Sequence, residues 1–195
     1  MGNLRVNKIV YSGLKYSYES TYFDNNIVLI EGDNGTGKST FCNLMYFALG
    51  GEVSIFRKDA KETHKEITSD TDNYVDLYIS IQEKHYILKR FIGDNDITVV
   101  PYDLVQDEEG GSVEIVLDDS GADVFAVNRH GDKKVFSDWV LEKLGITVVE
   151  LFYGYKNFKI NFSDLQRLIY HDQEPDPKSI YKKVDTDSVM VADSS

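Results

Sequence analysis

Gly32-Asp33-Asn34-Gly35-Thr36-Gly37-Lys38-Ser39-Thr40 is the stretch whose reading decides the fold. Gly32, Gly37, Lys38 and Ser39 fill every fixed position of the spacing Gly-x4-Gly-Lys-Ser, the pattern of a phosphate-binding loop. Glycines let such a backbone curl until successive N–H groups point at one phosphate. A helix that starts at the end of the loop adds the positive end of its dipole. In that arrangement Lys38 reaches the β- and γ-phosphates of a nucleoside triphosphate and serves catalysis as well as binding. The hydroxyl of Ser39 is placed to ligate Mg²⁺. The backbone of Asn34, Gly35, Thr36 and Gly37 completes the cradle, with Thr40 donating to the α-phosphate. The expected ligand is Mg-ATP.

The flanks supply the context such a motif requires. Ile27-Val28-Leu29-Ile30 precedes it, a continuous aliphatic run that predicts a strand buried on both faces. Phe41 to Leu49 predicts a helix with Phe41, Leu44, Met45 and Ala48 on one face, stopped by Gly50-Gly51. Upstream, Leu4–Tyr11 and Tyr16–Phe23 read as strands, and Asp24-Asn25-Asn26 as a turn. Downstream, Tyr74–Ile81 alternates strictly, followed by a turn at Glu83-Lys84 and a second alternating run, His85–Ile92. Ile97–Val100, Val113–Leu117 and Val124–Asn128 continue an antiparallel meander. Ser137 predicts the N-cap of a helix through Leu144 closed by Gly145, and a further helix is expected from Ser163-Asp164 to Tyr170.

Composition limits the function. A chain of 195 residues with 42% hydrophobic content suits one buried domain, or at most two small ones. No run of eighteen apolar residues occurs, so no transmembrane helix and no membrane partner are expected. The single cysteine, Cys42, forms no internal disulfide, which fits a reducing, cytoplasmic setting. A net charge of −12 argues against a stand-alone DNA binder, because affinity for DNA rests on Lys and Arg at its phosphates. The basic cluster Arg57–Lys65 reads better as a solvated loop than as a DNA guide. His64, His85, His130 and His171 share no metal-ligand spacing with one another or with Cys42.

The loop, then Phe41, then Tyr46-Phe47-Ala48-Leu49-Gly50-Gly51 together resemble the start of an SMC-type ABC ATPase head, as in SMC, SbcC-type, RecN and RecF proteins and some bacterial defence ATPases. The resemblance spans nearly the whole chain, although only the loop motif is specific. It implies an α/β P-loop NTPase fold, the N-terminal lobe of such a head over 1–175. A mixed sheet would surround the loop strand, and an antiparallel β-subdomain would occupy about 74–128. Residues 176–195 would form a polar tail or the root of a coiled coil. The resemblance also implies a glutamine that senses the γ-phosphate and ligates Mg²⁺. Gln173 is the preferred candidate, after a predicted helix and beside His171, and Gln166 is the second.

In this family a second lobe carries the Ser-Gly-Gly signature and the Walker B carboxylates, and no Ser-Gly-Gly occurs in this sequence. The chain is therefore expected to need a C-terminal ATPase lobe, from the same parent chain or a separate subunit, and a second head in a homodimer. DNA would be engaged through that assembly, in repair, chromosome maintenance or anti-phage defence. Two other readings stand beside it. Val113–Leu117 with Asp118-Asp119 is a possible Walker B strand of a self-sufficient NTPase or phosphotransferase, although Glu114 interrupts its apolar run and a hairpin explains it better. The chain is otherwise a module that binds nucleotide without hydrolysing it.

Overall fold

The computed structural model describes residues 3–23, 27–57, 65–70, 72–106, 112–116, 121–128, 133–148, 150–153 and 156–169. Its framework is a seven-stranded sheet built from β1 (Leu4–Ser12), β2 (Ser17–Glu19), β3 (Tyr74–Ile81), β4 (Lys84–Phe91), β5 (Asp96–Gln106), β6 (Ser112–Val116) and β7 (Asp123–Ala126). The order is β2-β1-β3-β4-β5-β6, with β7 sharing the free edge of β5. Strict alternation in β3 buries Val75, Leu77, Ile79 and Ile81 on one face. Its register with β4 runs unbroken from Tyr74 opposite Phe91 to Ile81 opposite Lys84. The turn falls at Gln82-Glu83, one residue earlier than expected, and Gln82 takes a positive φ of 55°.

On the buried face lie α1 (Lys38–Ala48), packed on β3 and β4, and α3 (Phe136–Lys143). The short α2 (Lys65–Thr68) leads into β3. A hairpin of β8 (Glu150–Tyr153) and β9 (Lys156–Lys159), which the sequence reading missed, precedes α4 (Phe162–Ile169). α1 buries Leu44, Phe47 and Ala48, so Phe47 replaces Phe41 and Met45 as a main core contact. Trp139 of α3 joins the layers, 5.1 Å from the ring of Tyr86 and 5.6 Å from that of Phe125. The cap of α3 is Val135, without a side-chain bond, rather than Ser137. The hydroxyl of Ser137 instead accepts the Phe162 amide at 2.7 Å and ties α3 to α4.

Three expectations fail. Every pairing between described strands is antiparallel, so the sheet is not the mixed one expected. Ile27–Ile30 forms no strand and lies exposed, with Ile27 at 87% and Leu29 at 86%. An aliphatic run pairs and buries only when a neighbouring strand and a covering layer exist, and the described residues supply neither here. The expected strand Tyr16–Phe23 shrinks to the three exposed residues of β2.

Asp76 lies on the outer face of β3, with one carboxylate oxygen 3.7 Å from Lys89 and the other without a hydrogen-bond partner. Burial pushes its carboxyl up to about 6, against the pull of Lys89. Between the unfolded value of about 4 and about 6, the folded protein holds a proton that the unfolded chain has released, so stability falls as pH rises through this window. Asp76→Asn is expected to flatten that dependence, removing about 2–3 kcal/mol of the stability lost between pH 4 and pH 7 in urea denaturation.

Candidate nucleotide site

Residues 27–37 lead into the start of α1 along the surface and carry the loop motif up to Gly37, with Lys38 and Ser39 opening the helix. Gly35 and Gly37 take φ of 83° and 89°, a region that costs an L-residue about 1–2 kcal/mol. A Cβ on Gly32 would meet Thr36 Oγ1 at 2.8 Å. The curl therefore favours glycine at Gly35 and Gly37 by conformation and at Gly32 by the close approach of Thr36. It is held by Thr36, whose hydroxyl donates to Asp33 O at 2.8 Å. Lys38 Nζ donates to Gly32 O at 2.5 Å and to Asp33 O at 2.7 Å, so its ammonium lies back across the loop.

α1 starts from Gly37 with no side-chain cap and no acidic residue in its first turn. Its first internal bond, Phe41 N to Gly37 O at 2.8 Å, leaves the amides of the opening turn without intrahelical acceptors. This concentration of positive character, in a chain of net charge −12, suits a phosphate. The far end of the helix is clamped. Arg90, only 5% exposed, donates to Phe47 O at 2.6 Å and Gly51 O at 3.0 Å and stacks 3.8 Å over the Phe47 ring. Burial lowers its guanidinium to about 10, with Glu52 and Asp94 opposing the shift.

A cavity of about 1090 Å³ adjoins the loop. Tyr16, Tyr18 and Phe23 wall it from the hairpin side, with Phe41 and Leu44 opposite. The hairpin is drawn over α1 by edge-on contacts of Tyr18 and Phe23 with Phe41 at 5.7 and 6.4 Å. Asp70 fixes its turn by accepting the Leu14 amide at 2.6 Å, and Gly13 lets that carboxylate approach. The aromatic wall was missed by the motif reading. Its signal was present in the crowding of Tyr11, Tyr16, Tyr18, Tyr22 and Phe23 just upstream of the loop.

The glycine curl, the uncapped helix start and Lys38 fit a polyphosphate. Gly35, Thr36, Gly37, Lys38 and Thr40 all line the cavity. Mg²⁺ needs few protein ligands when phosphate oxygens and water complete its shell. Ser39 is the side chain the motif offers it, and among the described residues no cluster of three His, Cys, Asp or Glu forms a site. Gln173 lies outside the described residues, as do His171, His130, His64, Asp118, Asp119 and most of the Arg57–Lys65 cluster. Gln166, 2% exposed, donates to Leu49 O at 2.8 Å, at the other end of an 11-residue helix that spans about 16 Å. It closes that helix rather than reaching the loop. β6, the strand leading towards Asp118, pairs antiparallel with β5 at the opposite end of the sheet from β2. Cys42 is half-buried, and burial pushes its thiol up, which suits a packing residue.

A family model described as an AAA domain matches residues 14–187, and the chain belongs to that family. It is therefore a P-loop nucleotide-binding domain of ATPase type. No curated protein and no solved structure matches the chain. No described helix is long and apolar enough to cross a membrane.

Gly37→Ala should weaken Mg-ATP binding by about tenfold or more, read by isothermal titration, because φ of 89° is lost to the new Cβ. Its melting temperature should fall by only a few degrees, since the positive φ strains the alanine by about 1–2 kcal/mol while nothing lies within 4 Å of the added carbon.

Proposed function

We propose that this chain is the ATP-binding lobe of an SMC-type ATPase head, completed by a second lobe. The observation that carries the reading is the exposed Ile27–Ile30 run leading straight into the loop. Four aliphatic residues facing water are costly at about 25 cal/mol per Å², and a further strand and layer beside them would recover that cost. A lobe that paired there would also set its own acidic residues beside the phosphates.

In this account Lys38 neutralises the β- and γ-phosphates, and the amides from Asn34 to Thr40 hold the chain of phosphates in line. Ser39 supplies the protein ligand to Mg²⁺, which spreads the developing charge when bound. Tyr16 and Tyr18 line the cavity and would receive the base against their rings. Gln173 is proposed as the γ-phosphate sensor. Two heads clamped by nucleotide would form a homodimer, released by hydrolysis, and DNA would be held by that assembly in the cytoplasm. Repair or defence against invading DNA is the favoured setting, on the strength of the resemblance.

The pairing of β6 weighs against the self-sufficient reading, because a Walker B strand must lie beside the strand that leads into the loop, whereas β6 pairs with β5 and Ile27–Ile30 pairs with no described strand. Steady-state hydrolysis separates the two. The chain alone should bind Mg-ATP, lose about tenfold or more in affinity as Lys38→Ala, and turn over no faster than that variant. Robust turnover by the isolated chain, abolished in Lys38→Ala, would overturn the lobe account. Asp118 and Asp119 would then become the catalytic candidates.

A further inference from the structure

A second cavity, of about 480 Å³, opens on the outer face of the sheet, where no helix of the described residues packs. It is lined by Arg5, Asn7, Ser80 and His85, with Tyr22, Phe23 and Leu104 forming its apolar walls. Strand register explains the grouping. Arg5 of β1 faces Ser80 of β3, and Ser80 faces His85 of β4, so the three form one rung across neighbouring strands. With strands about 4.8 Å apart, a cation, a hydroxyl and an imidazole stand in line over about 10 Å. Beside the rung, β1 carries a bulge between Val6 and Lys8. The extra residue is Asn7, a buried amide whose Oδ1 accepts from Ser80 Oγ at 3.4 Å. Bulges of this kind re-aim a side chain that regular pleating would leave elsewhere.

The chemistry of the lining is one-sided. Among the described residues no Asp or Glu lines this cavity. Arg5 anchors itself by a bond from Nη2 to Phe23 O at 2.7 Å, while its buried Nε has no acceptor. A guanidinium with incomplete hydrogen bonding beside an amide, a hydroxyl and an imidazole is a donor set for a phosphate. The rings of Tyr22 and Phe23 provide a surface for a planar body next to it. The volume lies within the usual range for small-molecule pockets, about 300–1,000 Å³.

We propose that this cavity is a second ligand site, for a phosphate-bearing aromatic molecule of mononucleotide size. Arg5, His85 and Ser80 hold the phosphate, and Tyr22, Phe23 and Leu104 receive the base. Phe23 is the wall common to both cavities and packs edge-on against Phe41 of the loop helix. A ligand that fixes Phe23 therefore alters the site next door, and by reciprocity ATP alters the affinity of this one. That coupling rests on the nucleotide reading of the loop, whereas occupancy of the second site does not.

The test uses adenosine monophosphate, uridine monophosphate and a tetrathymidylate single strand, titrated into Lys38→Ala protein so that the phosphate loop is weakened. The monophosphates should bind, and Arg5→Gln and His85→Gln should each weaken them by about tenfold. His85→Gln serves as the second variant because it leaves the Arg5–Phe23 anchor intact. Tighter binding of the single strand than of uridine monophosphate would identify a strand-borne nucleotide as the source, and the reverse a free one. Failure of all three probes to bind, or binding indifferent to both substitutions, overturns the site. With Lys38 intact, adenosine monophosphate should shift ATP affinity by about fivefold or more through the shared wall. An unchanged affinity overturns the coupling.

Discussion

Everything at the candidate site depends on how α1 is fixed, and that helix is fixed at the end away from the phosphates. Arg90 reaches from β4 to the carbonyls of Phe47 and Gly51, and Gln166 reaches from α4 to the carbonyl of Leu49. The Phe47 carbonyl also accepts the Gly50 amide, and Leu49 and Gly51 follow the last helical residue, where carbonyls lack intrahelical donors. Two buried side chains from different parts of the sequence satisfy them and hold the last turn against the sheet. A rigid rod clamped at one end aims the other. The uncapped N-terminus at Gly37 is thereby set at the mouth of the cavity, with its amides in place before any anion arrives.

The same clamp explains the buried charge. An arginine inside a protein is costly unless its hydrogen bonds are met. Arg90 meets part of that cost with the backbone oxygens of Phe47 and Gly51, leaving its buried Nε without an acceptor, and its plane lies on the Phe47 ring. Its charge also faces the negative end of the helix dipole. Lysine could not reproduce this, since one ammonium lacks the fork needed to bridge two carbonyls and the flat face needed to stack.

How much was legible in the sequence follows from where each signal comes from. β3 and β4 were readable because period-two alternation is a local record of a sheet with one buried face, and the face was covered by the same chain. The loop was readable because its glycines answer to backbone geometry alone. Ile27–Ile30 misled because an apolar run records a wish for burial and says nothing of whether the cover lies within these residues. The expected mixed sheet failed with it, since that sheet was expected to surround the strand leading into the loop. β8 and β9 were overlooked as four-residue strands, too short for periodicity to register. Ser137 carried a cap signature that tertiary packing redirected to Phe162. Gln166 and Arg90 owe their roles to partners more than thirty residues away, and no local pattern encodes such contacts.

The most direct measurement of the central claim is amide hydrogen exchange across residues 32–41, with and without Mg-ATP. The account predicts that nucleotide slows exchange of the amides from Gly35 to Thr40 in the parent protein and much less in Lys38→Ala, with β3 and β4 unchanged. Equal exchange with and without nucleotide in the parent, at concentrations that saturate other phosphate-loop proteins, would contradict it.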